Sequence, residues 1–395
     1  MKKILISVTY IKDIGGVSTS IINLLNEIHD KYDITLVVPS KFISNNRPIP
    51  PNIKVITGSN YLHDIIPSRA MLSFQNLPRK VLRNSRRIIN RLFLKEKGIE
   101  IALDKIIIPD EYDVAIAFAD FVYNIEKKKC YDYYVVLNNV SAKKKIAWIH
   151  NNPTKLGWTK ELILKEMSGF DSIVNVSKGC KQIFDSIIPE YTYKSVVAYN
   201  MYNIDKIKTD ATVNINLYPQ NNKLHIVTVA RIQIEQKRID RIVEVCKNLV
   251  NENITNFDWT LVGEGPDLPE LKHQAEKAGL NDYIRFVGLK HNPFPYVKQA
   301  DIFVQSSDYE GYGMTVKEAQ ILETPTFITN YIAASEVVEN GVQGEICENS
   351  TEGLYKMIKS VINNPQKLEV YRQNLINSPV NNNLALEQFN NICEM

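Results

Sequence analysis

The feature that most narrows the fold is an alternation of short apolar strand patterns with helical patterns. In the second half the strands run Leu224 to Ala230, Trp259 to Val262, Ile284 to Val287, Asp301 to Val304 and Thr326 to Thr329, with helical stretches at Ile239 to Leu249 and Pro269 to Ala278 between them. Near-continuous apolar strands separated by amphipathic helices make a parallel sheet covered on both faces. The first half opens the same way: strand Lys3 to Thr9, the turn Gly15-Gly16, and a helical pattern through Ile21, Ile22, Leu24, Leu25 and Ile28. Further strands follow at Ile34 to Val38, Ile53 to Ile56, Val114 to Phe118, Lys145 to Ile149, Ser172 to Val176 and Ser195 to Tyr199.

Between the two runs lies a polar stretch, residues 206–222, with few periodic apolar positions. It divides the chain into an N-terminal Rossmann-like domain at 1–205, a linker at 206–222 and a C-terminal Rossmann-like domain at 223–378, followed by a last helix within 379–395. A length of 395 residues exceeds what one core serves. No run approaches the roughly 18 apolar residues of a membrane span. MKKILISVTY continues as a strand and has no cleavage site, so the chain reads as cytoplasmic. Five scattered cysteines, without a C-x-x-C pair, indicate neither a zinc site nor a disulfide framework.

The net charge of +3 hides a local concentration. Residues 79–97 hold eight Lys or Arg and one Glu, so the remainder of the chain is net acidic. On a helical wheel Val81, Leu82, Ile88, Ile89, Leu92 and Phe93 fall on one side and the basic residues, Arg83, Arg86, Arg87 and Arg91 among them, on the other. Such a helix either packs its apolar stripe on the domain or lies on an anionic membrane surface, which would make the protein peripheral on the inner face of the plasma membrane. Nucleic acid is a poor fit, since no recognised binding motif accompanies the basic run.

Candidate site residues cluster at strand ends. Glu310 follows the strand Asp301 to Val304, and Glu318, eight positions on, falls one turn into a helical pattern from about Thr315. Both would face one crevice, where the helix N-terminus behind Gly313, Met314 and Thr315 offers free amides to a phosphate. Taken alone, the two acids would equally suit a solvated helix start. Gly15 and Gly16 permit close backbone approach, or simply a tight turn. His150 ends the strand Lys145 to Ile149, either at a ligand or as a satisfied structural histidine. Arg231 follows a strand, with Lys237 six residues later and Arg238 and Arg241 nearby as competitors.

These motifs together resemble the retaining glycosyltransferases of family 4. Glu310-Gly-Tyr-Gly, then Glu318-Ala and Pro325, resembles the family's donor-site signature, and Val-Ala-Arg231 with Lys237 its diphosphate clamp. The resemblance implies the GT-B fold, an α/β fold of two Rossmann-like domains facing a central cleft, with the acceptor on the first domain, the sugar nucleotide on the second, and a C-terminal helix crossing back. It implies donor contacts from Gly15, Gly16, Arg231, Lys237, Leu289, Glu310, Gly313, Met314, Thr315 and Glu318, with Glu318 on the ribose. It also implies catalytic roles for His150, Arg231, Lys237 and Glu310, a donor phosphate oxygen as proton acceptor, and no cofactor. With no D-x-D motif beside a strand end, no metal is expected. The Gly263-Glu-Gly265-Pro turn matches the family as a structural element.

Met314, Thr315 and Lys317 replace the usual aliphatic residues, which bears on the sugar's identity. The expected activity is transfer of a hexose or N-acetylhexosamine, with a UDP-sugar favoured over GDP-mannose, to a glycan or lipid-linked acceptor in cell-surface polysaccharide assembly. A non-catalytic GT-B partner subunit and a sugar-nucleotide epimerase of the same fold remain alternatives at this stage. The sequence leaves the oligomeric state unknown.

Overall fold

The computed structural model describes residues 1–66, 77–119, 130–212, 215–219 and 221–394. Two compact units divide the chain: Met1–Val176, Cys180–Met201 and Leu384–Met395 form the first, and Ser177–Gly179 and Tyr202–Asn383 the second. The boundary precedes the expected linker because Asn203 caps a helix, Ile204–Asp210, by accepting the Lys206 amide at 3.1 Å.

The first unit is built on seven parallel strands: β1 (Lys3–Ser7), β2 (Asp33–Val38), β3 (Lys54–Thr57), β4 (Glu111–Ala117), β5 (Ser141–Ile149), β6 (Ser172–Asn175) and β7 (Ser195–Val197). Their order is β3-β2-β1-β4-β5-β6-β7. Ile4, Leu5, Ile6, Ile116, Ile146 and Ile149 are wholly buried, the mark of a sheet covered on both faces. The closing helix, Asn383–Glu394, belongs to this unit from Leu384 on. Gln388 accepts the Tyr199 amide at 3.0 Å, Tyr32 donates to Asn390 at 2.8 Å, and Phe389 packs edge-on against the Tyr32 ring.

The second unit carries six parallel strands: β8 (Leu224–Val229), β9 (Phe257–Val262), β10 (Ile284–Gly288), β11 (Ile302–Gln305), β12 (Thr326–Thr329) and β13 (Gly344–Cys347), in the order β10-β9-β8-β11-β12-β13. β13 is missing from the sequence reading. Its four residues, Gly-Glu-Ile-Cys, give neither an alternating nor a continuous apolar signal. They form an edge strand because Gly344 lets the chain approach Thr326: a Cβ there would sit 1.8 Å from the Thr326 carbonyl oxygen.

Each sheet reverses its winding once, between β1 and β4 and between β8 and β11. In open α/β sheets ligands bind beyond the strands' carboxyl ends at such a reversal.

The basic segment is helical as expected, in three parts: Leu77–Ile89, one π turn at Asn90–Leu94, and Lys95–Asp104. Its orientation reverses the packing reading. Arg83 is 6% exposed, Arg86 Nη1 meets the buried Asp64 carboxylate at 2.7 Å, and Arg87 Nε donates to the Asp64 carbonyl at 2.7 Å. Tyr61 donates to Asn90 at 2.8 Å on the same side. The apolar side faces outward instead, with Val81, Ile88, Leu92 and Phe93 at 58%, 57%, 61% and 78% exposure. Arg86 and Arg87 therefore turn towards their own domain with the buried Arg83, because the carboxylate and carbonyl of Asp64 supply partners that the wheel cannot foresee. Arg91 alone of the four named arginines is exposed.

Candidate functional site

In the second unit the loops leaving β8 and β11, on either side of the reversal, are tied together. The β8 loop carries the exposed Arg231, then a single helical turn, Ile234–Lys237, closed by Arg238 at φ +50°. The β11 loop carries Ser306, Ser307, Asp308 and Glu310. Ser306 Oγ donates to the Lys237 carbonyl at 2.8 Å, and the Asp308 amide donates to the Gln236 carbonyl at 2.8 Å. These bonds present Lys237 to Glu310.

Glu310 is buried and held by three side chains. Lys237 Nζ lies 2.5 Å from Oε1, Ser307 Oγ donates to the same oxygen at 2.6 Å, and Gln236 Nε2 approaches Oε2 at 3.4 Å. A carboxylate taken out of water requires such compensation. The other two cations near this turn are engaged elsewhere. Arg238 binds Asp240 at 2.8 Å, whereas Arg241 is buried and donates to the Ser306 carbonyl at 3.2 Å and to Asn349 at 2.6 Å. Arg241 braces the β11 loop, and Arg231 is left as the exposed cation of the β8 loop.

Beyond Glu310 the chain enters the helix Met314–Ile321 through Gly313, at φ +96°. Only glycine suits that position, since a Cβ would meet the Tyr331 hydroxyl at 2.5 Å. Gln305 Nε2 reaches Thr315 Oγ1 at 3.4 Å and fixes the first turn to β11. Val316, Ala319 and Gln320 face the core, while Met314, Lys317 and Glu318 share the half-buried face at helical spacing. Leu289 is 40% exposed at the end of the edge strand β10. The Gly263-Gly265 turn is structural: a Cβ at either glycine would lie 1.9 or 2.0 Å from the carbonyl oxygen of Ala230 or Ile232.

His150, Gly15 and Gly16 belong to the first unit, around its own reversal between β1 and β4. Gly15 enters the helix Gly16–Ile28 at φ +145°, with open space where a Cβ would stand. His150 leaves β5 with its ring tilted against Phe118, ring centres 4.6 Å apart, and stacked on Trp148 at 6.2 Å. Its Nε2 stands 2.5 Å from the Phe118 carbonyl, which can only accept, so Nε2 carries the hydrogen. Burial pushes the imidazole down to about 4, with the Phe118 carbonyl opposing, so the ring is neutral at physiological pH.

The sequence reading missed Ser307, Gln236 and Tyr331. Ser307 and Gln236 are polar residues on the two strand-end loops, and Tyr331 follows β12 at its carboxyl end; that position was the available signal. Among the described residues no cluster of three or more His, Cys, Asp or Glu is placed to hold a metal ion, and no helix is long and apolar enough to cross a membrane.

Residues 215–377, nearly the whole second unit, match the family model described as Glycosyl transferases group 1. The second unit is a group 1 glycosyl transferase domain. The chain is 26% identical over 394 residues to the alpha-monoglucosyldiacylglycerol synthase of Acholeplasma laidlawii, a match covering 93% of this chain and 90% of that protein. It is 27% identical over 197 residues to an uncharacterized glycosyltransferase of Methanocaldococcus jannaschii, where the match spans 48% of the relative's length. Among solved structures, S. aureus TarM, with UDP and alpha-GlcNAc-glycerol bound, superposes with a TM-score of 0.70 at 15% identity, covering all of both chains. Anabaena HepE with UDP and glucose gives 0.68 at 15% identity, covering 100% of this chain and 98% of that one. At such identity the likeness shows the fold, and the fold is GT-B. The group 1 glycosyl transferase domain is thus the half that carries the Lys237, Glu310 and Met314-helix constellation.

Proposed function

We propose that the protein transfers a hexose or N-acetylhexosamine from a nucleotide sugar, a UDP-sugar first among candidates, to a lipid-linked or glycan acceptor, with retention at the transferred carbon. The observation that carries this reading is the Lys237–Glu310 pair at the sheet's reversal, beside the open N-terminus of the Met314 helix. Arg231, Lys237 and the amides of Met314 and Thr315 are assigned to the diphosphate, whose charge grows as its bond to the sugar breaks. Electrostatic stabilisation of that charge is where the protein contributes most. Glu310 and His150 are assigned to the sugar, and Glu318 to the ribose. No protein base is assigned: a phosphate oxygen of the donor takes the acceptor's proton, and no metal or cofactor is required.

The outward apolar face of the helical segment 77–94 favours a lipid-linked acceptor. Val81, Leu82, Ile88, Leu92 and Phe93 present a stripe that water penalises, flanked by the exposed cations Lys80, Arg91 and Lys97. An anionic bilayer matches both. The relative in Acholeplasma laidlawii is named for a glucosyldiacylglycerol product, which agrees with a lipid acceptor.

A donor panel of UDP- and GDP-sugars, with and without EDTA, tests the reading with purified protein. Product on a lipid acceptor from one nucleotide series, unaffected by EDTA and lost in Glu310→Gln, is the expected result. Binding without turnover on any acceptor overturns it.

A further inference from the structure

The transfer proposed above leaves one buried donor beside Glu310 unused. Tyr331 follows β12, is 3% exposed, and its hydroxyl finds no hydrogen-bond partner among the described residues. Burial, then the charges of Glu310 and Tyr312, push the phenol well above its ordinary range, so it keeps its proton.

The loop that this hydroxyl touches is the one that carries Glu310. The hydroxyl stands 2.5 Å from where a Cβ on Gly313 would be, and Gly313 follows Glu310 by three residues. The end of β12 is bound to the same loop: Thr329 Oγ1 donates to the Ser307 carbonyl at 2.6 Å, and the Tyr331 amide donates to the Thr329 carbonyl at 2.9 Å. Ser307 in turn holds Glu310. Tyr312 is a phenol like Tyr331, so Glu310 is the charged acceptor of the two neighbours that act on it.

Glu310 has room for another donor. Lys237 and Ser307 both serve Oε1, whereas Oε2 has, among the described residues, only Gln236 at 3.4 Å. Each carboxylate oxygen accepts two hydrogen bonds, and a buried one left short is costly. Lys237 is also assigned to the diphosphate. Once its ammonium turns to phosphate, Glu310 keeps one hydroxyl and one long amide contact.

We propose that Tyr331 is a positioning residue that takes over Glu310 when Lys237 turns to the diphosphate, its hydroxyl donating to the carboxylate and keeping it in place for the sugar. No proton changes owner in the exchange. The trigger rests on the donor reading above; the hydroxyl's capacity to stand in for the ammonium does not.

Two thermodynamic cycles test it. The first compares urea midpoints of wild type, Tyr331→Phe, Lys237→Met and the double variant. In wild type, Tyr331→Phe removes an unpaired buried hydroxyl, so the midpoint should hold or rise. In Lys237→Met, where that hydroxyl is the replacement donor, the same change should lower it. A purely structural tyrosine shifts both backgrounds alike, and equal shifts overturn the inference. The second cycle titrates wild type, Tyr331→Phe, Glu310→Gln and their double variant calorimetrically with UDP, which brings no sugar to Glu310. Tyr331→Phe should weaken UDP by roughly ten- to a hundredfold when Glu310 is present, and hardly at all in Glu310→Gln, whose amide carries no charge to compensate. Should Lys237→Met fail to fold, this cycle decides: equal weakening in both backgrounds, or none in either, overturns the inference. If the midpoints shift as expected but wild type does not bind UDP, the donor reading fails and the replacement of Lys237 by Tyr331 stands.

Discussion

Lys237 Nζ and Oε1 of Glu310 lie 2.5 Å apart, and the carboxylate is shared with Ser307 and Gln236. The residue expected to clamp phosphate and the residue expected to hold the sugar are thus one ion pair. A ligand diphosphate must draw on Lys237 while Glu310 still has a hydroxyl and an amide to compensate it. Glu310→Gln is expected to lower transfer by about 10²- to 10³-fold, if the charge acts on the developing transition state. Lys237→Met leaves a buried carboxylate short of its cation and should cost about 3 kcal/mol of stability. Denaturant melts of both single variants and of the double variant check the pairing: contacting residues should couple by about 1–3 kcal/mol, and simple additivity would deny it.

Gly313→Ala separates backbone geometry from charge. The residue holds φ +96°, and an added Cβ would strike the Tyr331 hydroxyl at 2.5 Å. The strain alone is worth about 1–3 kcal/mol. Donor affinity should fall with it, because the helix N-terminus must shift. A variant with unchanged melting temperature and donor binding would show that the turn relaxes freely.

How much was legible follows from what each signal encodes. Buried parallel strands such as Leu224–Val229 announce themselves by unbroken apolar runs, and the strand-end positions of Arg231, His150 and Glu310 followed from them. β13 did not, because an edge strand with one face partly wet needs no apolar run. The helical wheel separated two faces of residues 79–97 yet could not say which turns inward: hydrophobicity ranks faces only when nothing polar waits inside, and here Asp64 and Tyr61 do. The tie between Lys237 and Glu310 joins loops over seventy residues apart, and no local pattern records it. Tyr331 went unnoticed because a tyrosine's worth depends on whether its hydroxyl finds a partner.

His150 gives a pH prediction. Its imidazole goes from 6.5 when unfolded to about 4 when folded. Between those values the unfolded chain binds the proton that the folded one refuses, so this residue's contribution to stability is present above about 6.5 and is lost as pH falls towards 4. His150→Gln keeps a donor for the Phe118 carbonyl but does not titrate. Stability measured by urea melts from pH 7 to pH 4 should therefore decline less steeply in the variant than in wild type. Parallel curves would mean that His150 stays solvated in the folded state and takes up its proton alike in both states.

The inverted helix makes its own discrimination between attraction and insertion. If the basic residues drew the protein to a membrane, raising salt would release it and Arg86→Ala would weaken binding. Since Arg86 is committed to Asp64 at 2.7 Å, Arg86→Ala should instead leave a buried carboxylate uncompensated, costing about 1–3 kcal/mol of stability. Phe93, at 78% exposure, has the opposite profile. Phe93→Asp should leave the melting temperature within the small range of surface changes. It should weaken partition onto anionic vesicles by roughly tenfold or more, since a buried aromatic side chain contributes about 1.5–3 kcal/mol. Vesicle co-sedimentation at low and high salt reads both effects. Binding that survives salt but fails in Phe93→Asp places the apolar face in the bilayer; binding that ignores Phe93→Asp and vanishes with salt returns the contact to Lys80, Arg91 and Lys97 alone.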